Sequence, residues 1–458
     1  MNTLAVIASW ASGVILGTIA LVWLLSLKRE AAIIRLKGFR WTRQQLCQHV
    51  LITGATGSGK TRSGIVALLL ELFRNDKEFG GLCVDEKGVL HEVIVDIARN
   101  SGRAEDVILL EVAPKPRHRF NLVGNRALPF ATLAQCVVDT AVAMGNQHEQ
   151  SFFRSAAQIH IAKALEALHE AGFQVTLENA HNLLVNPADT QRALRQIKSP
   201  ALVEHFEQYL AQPPEQLAGV TGTVRNYLHH FTSPEIAEVF CRDSTFDLAD
   251  VDRGKIVCIS MPQRYQTERR FVGTFLKLLF FNHALTRFDA PKAVRDEANL
   301  LVLVVDECQH FVTTSEHGMS DHNVIDVVRE AKLAVIAATQ STTSLVPVLG
   351  LDRARVYTLN MRSRLIFTAA DEVDARESAD FLGKKDQLVR SLSSHGGRIT
   401  ESVRDQDEYR VKPNKLRKLR KNQCVLVHSE DGFRKVTLPP READGSISEW
   451  YRWRWFRR

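Results

Sequence analysis

Gly54-Ala55-Thr56-Gly57-Ser58-Gly59-Lys60-Thr61 sets one glycine, four further residues and Gly-Lys-Thr in a row, the spacing of a phosphate-binding loop. An apolar run, Val50-Leu51-Ile52, precedes it, and a helical pattern from Ser63 to Phe73 follows. Strand, loop and helix in that order are the setting the motif needs. Glycines let the backbone wrap an anion with its N–H groups turned inward, and the helix adds the positive end of its dipole. In such a loop the Lys60 ammonium reaches the β- and γ-phosphates and the Thr61 hydroxyl ligates Mg²⁺. The stretch Gly54, Ala55, Thr56, Gly57, Ser58, Gly59, Lys60 and Thr61 is therefore the candidate site for ATP. The plain alternative is a glycine-rich turn that binds nothing.

Further strand-like runs are Gly81–Val84, Val107–Val112, Lys255–Met261, Leu300–Val305, Leu333–Ala338, Arg364–Ala369 and Gln423–His428. Apolar runs alternating with helical patterns predict an α/β fold with a mostly parallel, covered sheet. Between Arg126 and Phe240 the pattern is helical throughout: Leu133–Met144, Phe152–Ala171, Leu177–Leu184, Asp189–Ile197, Ala201–Leu210 and Gly219–Phe231, punctuated by prolines. This predicts an all-α insertion. Ser391–Glu408 is polar, with glycines and serines, and reads as a mobile loop.

The run Leu300–Val305 ends in Asp306-Glu307. In ATPases with this loop, an acid at a strand tip holds Mg²⁺ through water and a following glutamate orients the attacking water. Asp306 is assigned to the metal with Thr61, and Glu307 to the general base or water positioner. An ordinary acidic strand end is the alternative. Leu333–Ala338 leads into Thr339-Gln340-Ser341, where Gln340 is a candidate to sense the γ-phosphate or orient water, with a plain polar strand end as the alternative. Arg329, read on a helix before that strand, is a candidate to offset phosphate charge in a neighbouring subunit. Its alternative is a solvated surface arginine.

The 458 residues exceed what one simple core holds, which predicts several domains. The expected division is 1–29, 30–125 with the loop, 126–240 all-α, 241–440 completing the nucleotide-binding unit, and 441–458 as a basic aromatic tail. Leu4–Leu25 carries no charged residue, which suits a membrane-crossing helix, and Lys28-Arg29 follow it. The positive charge predicts that the bulk of the chain is cytoplasmic. A cleaved signal peptide is the rival, but no basic segment precedes the apolar run. The formal charge of +7 permits a polyanionic partner without requiring one. The 7 cysteines are scattered through apolar runs, as buried free thiols are. The 16 histidines show no metal-ligand spacing.

In order along the chain, a membrane anchor, the loop Gly54–Thr61, Val84-Asp85-Glu86-Lys87-Gly88, Asp306-Glu307, Arg329-Glu330-Ala331-Lys332-Leu333 and Thr339-Gln340-Ser341 resemble the type IV secretion coupling proteins of the TraG/TraD-like kind. The resemblance runs from about Val50 to Gly383. It implies a RecA-like ATPase in a homo-hexameric ring at the bacterial inner membrane. Such a ring moves single-stranded DNA with its attached relaxase toward the secretion channel proteins. It also implies an arginine finger acting across subunits at Arg329 and a third ATPase motif at Gln340. Three features depart from the family: one membrane helix instead of two, a shortened membrane-proximal region, and Glu86 where the family's Asp-Pro-Lys-Gly has proline. An FtsK/HerA-like DNA pump and an ATP-binding adaptor without net hydrolysis are the competing readings.

Two basic stretches are not assigned by the motifs. One runs from Lys412 to Lys421. The other is the C-terminal Trp450-Tyr451-Arg452-Trp453-Arg454-Trp455-Phe456-Arg457-Arg458. Single-stranded nucleic acid, anionic lipid headgroups, a secretion partner and plain solvation all fit that composition.

Overall fold

The computed structural model describes residues 30–125, 127–145, 150–315, 318–395 and 398–451. The expected anchor within 1–29 and the tail residues 452–458 lie outside them. Among the described residues no helix is long and apolar enough to cross a membrane.

The strands are β1 (Ile34–Leu36), β2 (Phe39–Trp41), β3 (Val50–Thr53), β4 (Gly80–Asp85), β5 (Val107–Glu111), β6 (Ile256–Ser260), β7 (Leu301–Asp306), β8 (Leu333–Thr339), β9 (Ser363–Ile366), β10 (Lys384–His395), β11 (Arg398–Tyr409), β12 (Gln423–His428) and β13 (Gly432–Thr437). One sheet holds 9 of them in the order β13-β12-β9-β3-β8-β7-β4-β6-β5. Every pair from β9 to β5 is parallel, and β12 and β13 add an antiparallel margin. The central strands β3, β4, β7 and β8 are buried along their whole length. That burial is why they read as unbroken apolar runs rather than alternating ones.

Period two still decides which core each side chain enters. Leu301, Leu303 and Val305 of β7 join the core shared with the helical stretch. Val302 and Val304 join the opposite core, with helix Val66–Asn75 and the β1–β2 hairpin. The link from β5 to its neighbour β6 carries helices Phe130–Ala143, Ser151–Glu170, Leu177–Val185, Pro187–Leu194, Pro200–Leu210, Pro214–Leu228 and Pro234–Phe240, with no strand among its described residues. Pro187, Pro200, Pro214 and Pro234 each stand at the first position of a helix, where the missing N–H costs nothing. All the cysteines are free and buried.

Four sequence expectations are corrected. Ser391–Glu408 does not form an irregular loop: β10 and β11 pair antiparallel from Lys384↔Tyr409 to His395↔Arg398. A two-stranded ribbon is held by the hydrogen bonds between its own strands and needs no apolar alternation to pair, so polarity is no evidence against strands there. Second, Arg329 sits in a run of turns, 325–332, rather than on a helix. Third, the strand expected over Arg364–Ala369 stops at Ile366. Fourth, β1, β2 and β13 stand where the apolar pattern predicts no strand. The first two are very short, and β13 is an edge strand whose residues are at most half-buried. Trp41 secures the hairpin by donating its Nε1–H to Ser363 Oγ at 2.9 Å.

Candidate nucleotide-binding site

The loop leaves β3 at the carboxyl edge of the sheet, where ligands of parallel α/β sheets bind. Its glycines take conformations that side chains avoid: φ is 150° at Gly54, 77° at Gly57 and 115° at Gly59. A π-helical turn, Lys60–Ile65, starts the helix that continues as Val66–Asn75. Lys60 is buried, and its Nζ donates to the Gly54 carbonyl at 2.6 Å. Burial lowers its pKa, opposed by the carboxylates of Glu307 and Asp306. A polyphosphate in the loop supplies the negative charge that such an ammonium lacks.

The acids stand across β8. Thr61 donates its hydroxyl to Asp306 Oδ2 at 3.0 Å. The Asp306 carboxyl is pushed up by burial and by the neighbouring Glu307 charge. Hard oxygens converging from loop and strand tip fit Mg²⁺, which takes one or two protein oxygens besides water and phosphate. Glu307 adopts a left-handed conformation, φ 53°, uncommon for a residue with a side chain. Its Oε2 accepts from Gln309 Nε2 at 3.0 Å, and Gln309 Oε1 accepts from Thr339 Oγ1 at 2.9 Å. Lys87 Nζ lies 3.9 Å from Glu307 Oε1. Glu307 is thus held from the tips of β8 and β4 at once. Gln340 is exposed at the end of β8, and its carbonyl accepts from Gly54 N–H at 3.1 Å.

The segment Asp85–Gly88 is a structural bracket for this edge. Asp85 Oδ2 accepts the N–H groups of Val89 and Leu90, both at 3.0 Å, so it caps helix Leu90–Asn100 rather than facing the loop. Glu86, at the family's proline position, accepts from Arg270 Nε at 2.9 Å and so ties the segment to helix Gln266–Thr286. A Cβ on Gly88, at φ 64°, would lie 1.9 Å from Nη1 of the buried Arg269 and would force that guanidinium to shift.

Sequence reasoning missed Asn422. It is buried with φ 66°, its N–H donates to Ser58 O at 2.8 Å, and its Oδ1 accepts from Ser63 Oγ at 3.1 Å. A Cβ on Gly59 would meet that Oδ1 at 2.5 Å. Asn422 therefore fastens both the loop and the helix after it. The only sequence signal is an asparagine, a residue that tolerates left-handed backbone, just ahead of a strand.

The structure brings Lys60, Thr61, Asp306, Glu307 and Gln340 to one edge and leaves Arg329 apart. Arg329 precedes β8, at the amino edge of the sheet, in a cleft of about 880 Å³ shared with Glu30, Arg43 and Lys332. His49 holds this turn region: its Nε2–H donates to Ile325 O at 2.7 Å, and its Nδ1 accepts Val335 N–H at 3.1 Å. Burial holds the His49 pKa down to about 4, opposed by the Ile325 carbonyl and reinforced by the Arg329 charge. The unfolded chain protonates His49 near its ordinary 6.5, well before the folded one does. The stability contributed by neutral His49 is full above pH 6.5 and is lost as pH falls toward 4, an effect of roughly 3 kcal/mol. Buried His160 and half-buried His230, also held near 4, act in the same direction. We expect His49→Gln to lower stability at pH 7 and to flatten the decline in urea midpoint between about pH 6.5 and 4.5. An unchanged slope would show that His49 does not titrate on unfolding.

The family model for Type IV secretory system Conjugative DNA transfer matches residues 26–434. The chain belongs to this family. No individually curated protein matches the sequence at a significant level. Among solved structures, the bacterial conjugative coupling protein TrwB in its unbound form is similar at a TM-score of 0.68 and 17% identity, covering 91% of this chain and 90% of that one. TrwB in complex with ADP and Mg²⁺ gives 0.68 at 17% identity, with 92% and 94% covered. VirB4 of Thermoanaerobacter pseudethanolicus follows at 0.50 and 12%, with 88% and 91% covered. At these identities the likeness establishes the α/β fold, with its large, mostly parallel sheet. Membership of the conjugative DNA transfer family rests on the sequence itself.

Proposed function

We propose that this protein is a membrane-anchored coupling ATPase that uses ATP hydrolysis to recruit single-stranded DNA with its relaxase and move it into a type IV secretion channel. The observation that carries the reading is the Thr61–Asp306 contact at the loop's mouth with Glu307 beside it. A loop that only binds a nucleotide needs no second acid. Glu307 is the base that takes a proton from a water as its oxygen attacks the γ-phosphorus. Lys60 and the loop's N–H groups neutralise the phosphate oxygens, and ADP leaves. Thr61 and Asp306 would hold Mg²⁺, which when bound offsets charge on the phosphates.

Arg329 cannot reach the loop of its own chain from the opposite sheet edge. A catalytic part for it would require a neighbouring subunit, as in the hexameric ring that the family resemblance implies. The anchor within 1–29 would hold that ring at the bacterial inner membrane.

The test is ATP hydrolysis by the full chain in detergent, with and without single-stranded DNA, across protein concentration, beside Lys60→Ala. We expect single-stranded DNA to raise the rate, activity to rise steeply with concentration, and Lys60→Ala to lose at least about 100-fold. Stimulation by duplex DNA alone would favour a double-strand pump. Hydrolysis indifferent to any DNA would favour an adaptor that handles protein.

A further inference from the structure

Lys412–Lys421 reads in the sequence as a surface for an unnamed polyanion. The fold places its second half against the phosphate loop. Ala55 N–H donates to Thr368 O at 2.8 Å, and Thr368 Oγ1 donates to Leu419 O at 2.8 Å. Asn422 N–H donates to Ser58 O at 2.8 Å. The turn from Arg417 to Asn422, with the residues that follow β9, is therefore one wall of the loop.

Which end of a nucleotide lies on that wall follows from strand order. β3 stands between β8 and β9. The acids and Gln340 lie on the β8–β7 side, so the γ-phosphate points that way. A triphosphate threaded through the loop must then send its α-phosphate, ribose and base toward β9 and β12. The amino end of β12 shares that edge, because β12 runs antiparallel to β9.

The cations on this wall are not all committed. Arg417 pairs with Glu372 at 3.3 Å, and Lys421 Nζ lies 4.8 Å from the Trp450 ring centroid. Lys418 and Arg420 are exposed, with no acidic partner among the described residues. An ammonium suits a phosphate oxygen, and a guanidinium stacks on a planar base.

We propose that the turn Lys418–Lys421 is the nucleoside-side wall of the ATP site, with Lys418 and Arg420 binding the α-phosphate and base of a nucleoside triphosphate rather than nucleic acid. This rests on the ATPase reading above. It gives the basic run a ligand that composition does not name, and it makes a segment far along the chain part of the nucleotide site.

The test is a fluorescence titration of the full chain in detergent with a methylanthraniloyl derivative of ADP, alongside binding of a labelled single-stranded oligonucleotide. The proteins are wild type, Lys60→Ala, the double variant Lys418→Ala/Arg420→Ala, and its conservative partner Lys418→Arg/Arg420→Lys. Both residues are exposed, so matching melting temperatures are expected and confirm folding. The expected result is about a tenfold loss of ADP affinity in the alanine variant, partial recovery in the conservative one, and unchanged oligonucleotide binding. ADP affinity within about twofold of wild type overturns the proposal. If oligonucleotide binding falls instead, the run belongs to nucleic acid. Failure of the underlying ATPase reading looks different: wild type and Lys60→Ala would then bind ADP equally, or not at all.

Discussion

Glu307→Gln is expected to bind ATP as tightly as wild type and to hydrolyse it about 100- to 10,000-fold more slowly. Glutamine keeps the shape of the side chain, and its amide oxygen still accepts from Gln309 Nε2, a contact of 3.0 Å in the native site. The left-handed backbone at Glu307 tolerates the change, because the Cβ geometry is the same. The variant loses the capacity to take a proton from water. Single-turnover hydrolysis, measured beside retention of labelled ATP, separates the two steps. A normal turnover rate would remove Glu307 from the role of base. Weakened ATP retention would instead make it a ground-state binding group.

The second large effect concerns stability. Lys277 is fully buried on helix Gln266–Thr286, and its Nζ donates to Phe311 O at 2.6 Å and to Asp321 Oδ2. Asp321 Oδ2 also accepts Thr313 N–H at 2.7 Å and Thr313 Oγ1 at 2.9 Å. Burial lowers the Lys277 pKa and the Asp321 charge opposes that, so the pair is a compensated charge in a dry interior. Removing one partner strands the other. We expect Lys277→Ala to cost about 3–5 kcal/mol of unfolding free energy, read from the urea midpoint at pH 7. Phe311 and Thr313 follow Glu307 closely, so the same variant should also lower hydrolysis by loosening the base. A loss under about 1 kcal/mol would mean that solvent reaches the pair.

Much of the candidate site is legible in the residues alone. The loop is a run of consecutive residues whose chemistry is local, and its flanking strand and helix announce themselves by apolar pattern. The buried strands β4, β7, β8 and β12 match the expected runs to within a residue or two, because a strand covered on both faces shows as an uninterrupted apolar segment. Most helices of the stretch after β5 are visible through their period, but Pro234–Phe240 is not, and Pro214–Leu228 begins ahead of the expected start at Gly219. The family resemblance rests on motif order, which survives where overall identity does not. The ribbon β10–β11 escapes such a reading because its strands pair only with each other, outside the large sheet, and their sequence carries no apolar run.

The sequence by itself determined that the chain has a phosphate loop on a parallel α/β fold, with an acid pair at the tip of a buried strand. Those features depend on neighbours along the chain: glycine freedom, strand burial, helix periodicity. Tertiary structure alone decided which distant groups serve them. Asn422 meets Ser63 from 359 positions away, Gln309 meets Thr339 from 30, and Lys277 meets Asp321 from 44. None of these pairs has a spacing that helix or strand geometry would make regular. The first two become visible only when the order β12-β9-β3-β8-β7 lays their segments side by side, and the third when helix Gln266–Thr286 packs beside the segment after β7. The same order sends Arg329 to the far edge from Lys60 and turns a basic run of undetermined purpose into a wall of the loop. Strand order is a property of long-range pairing, and no local stretch of residues encodes it.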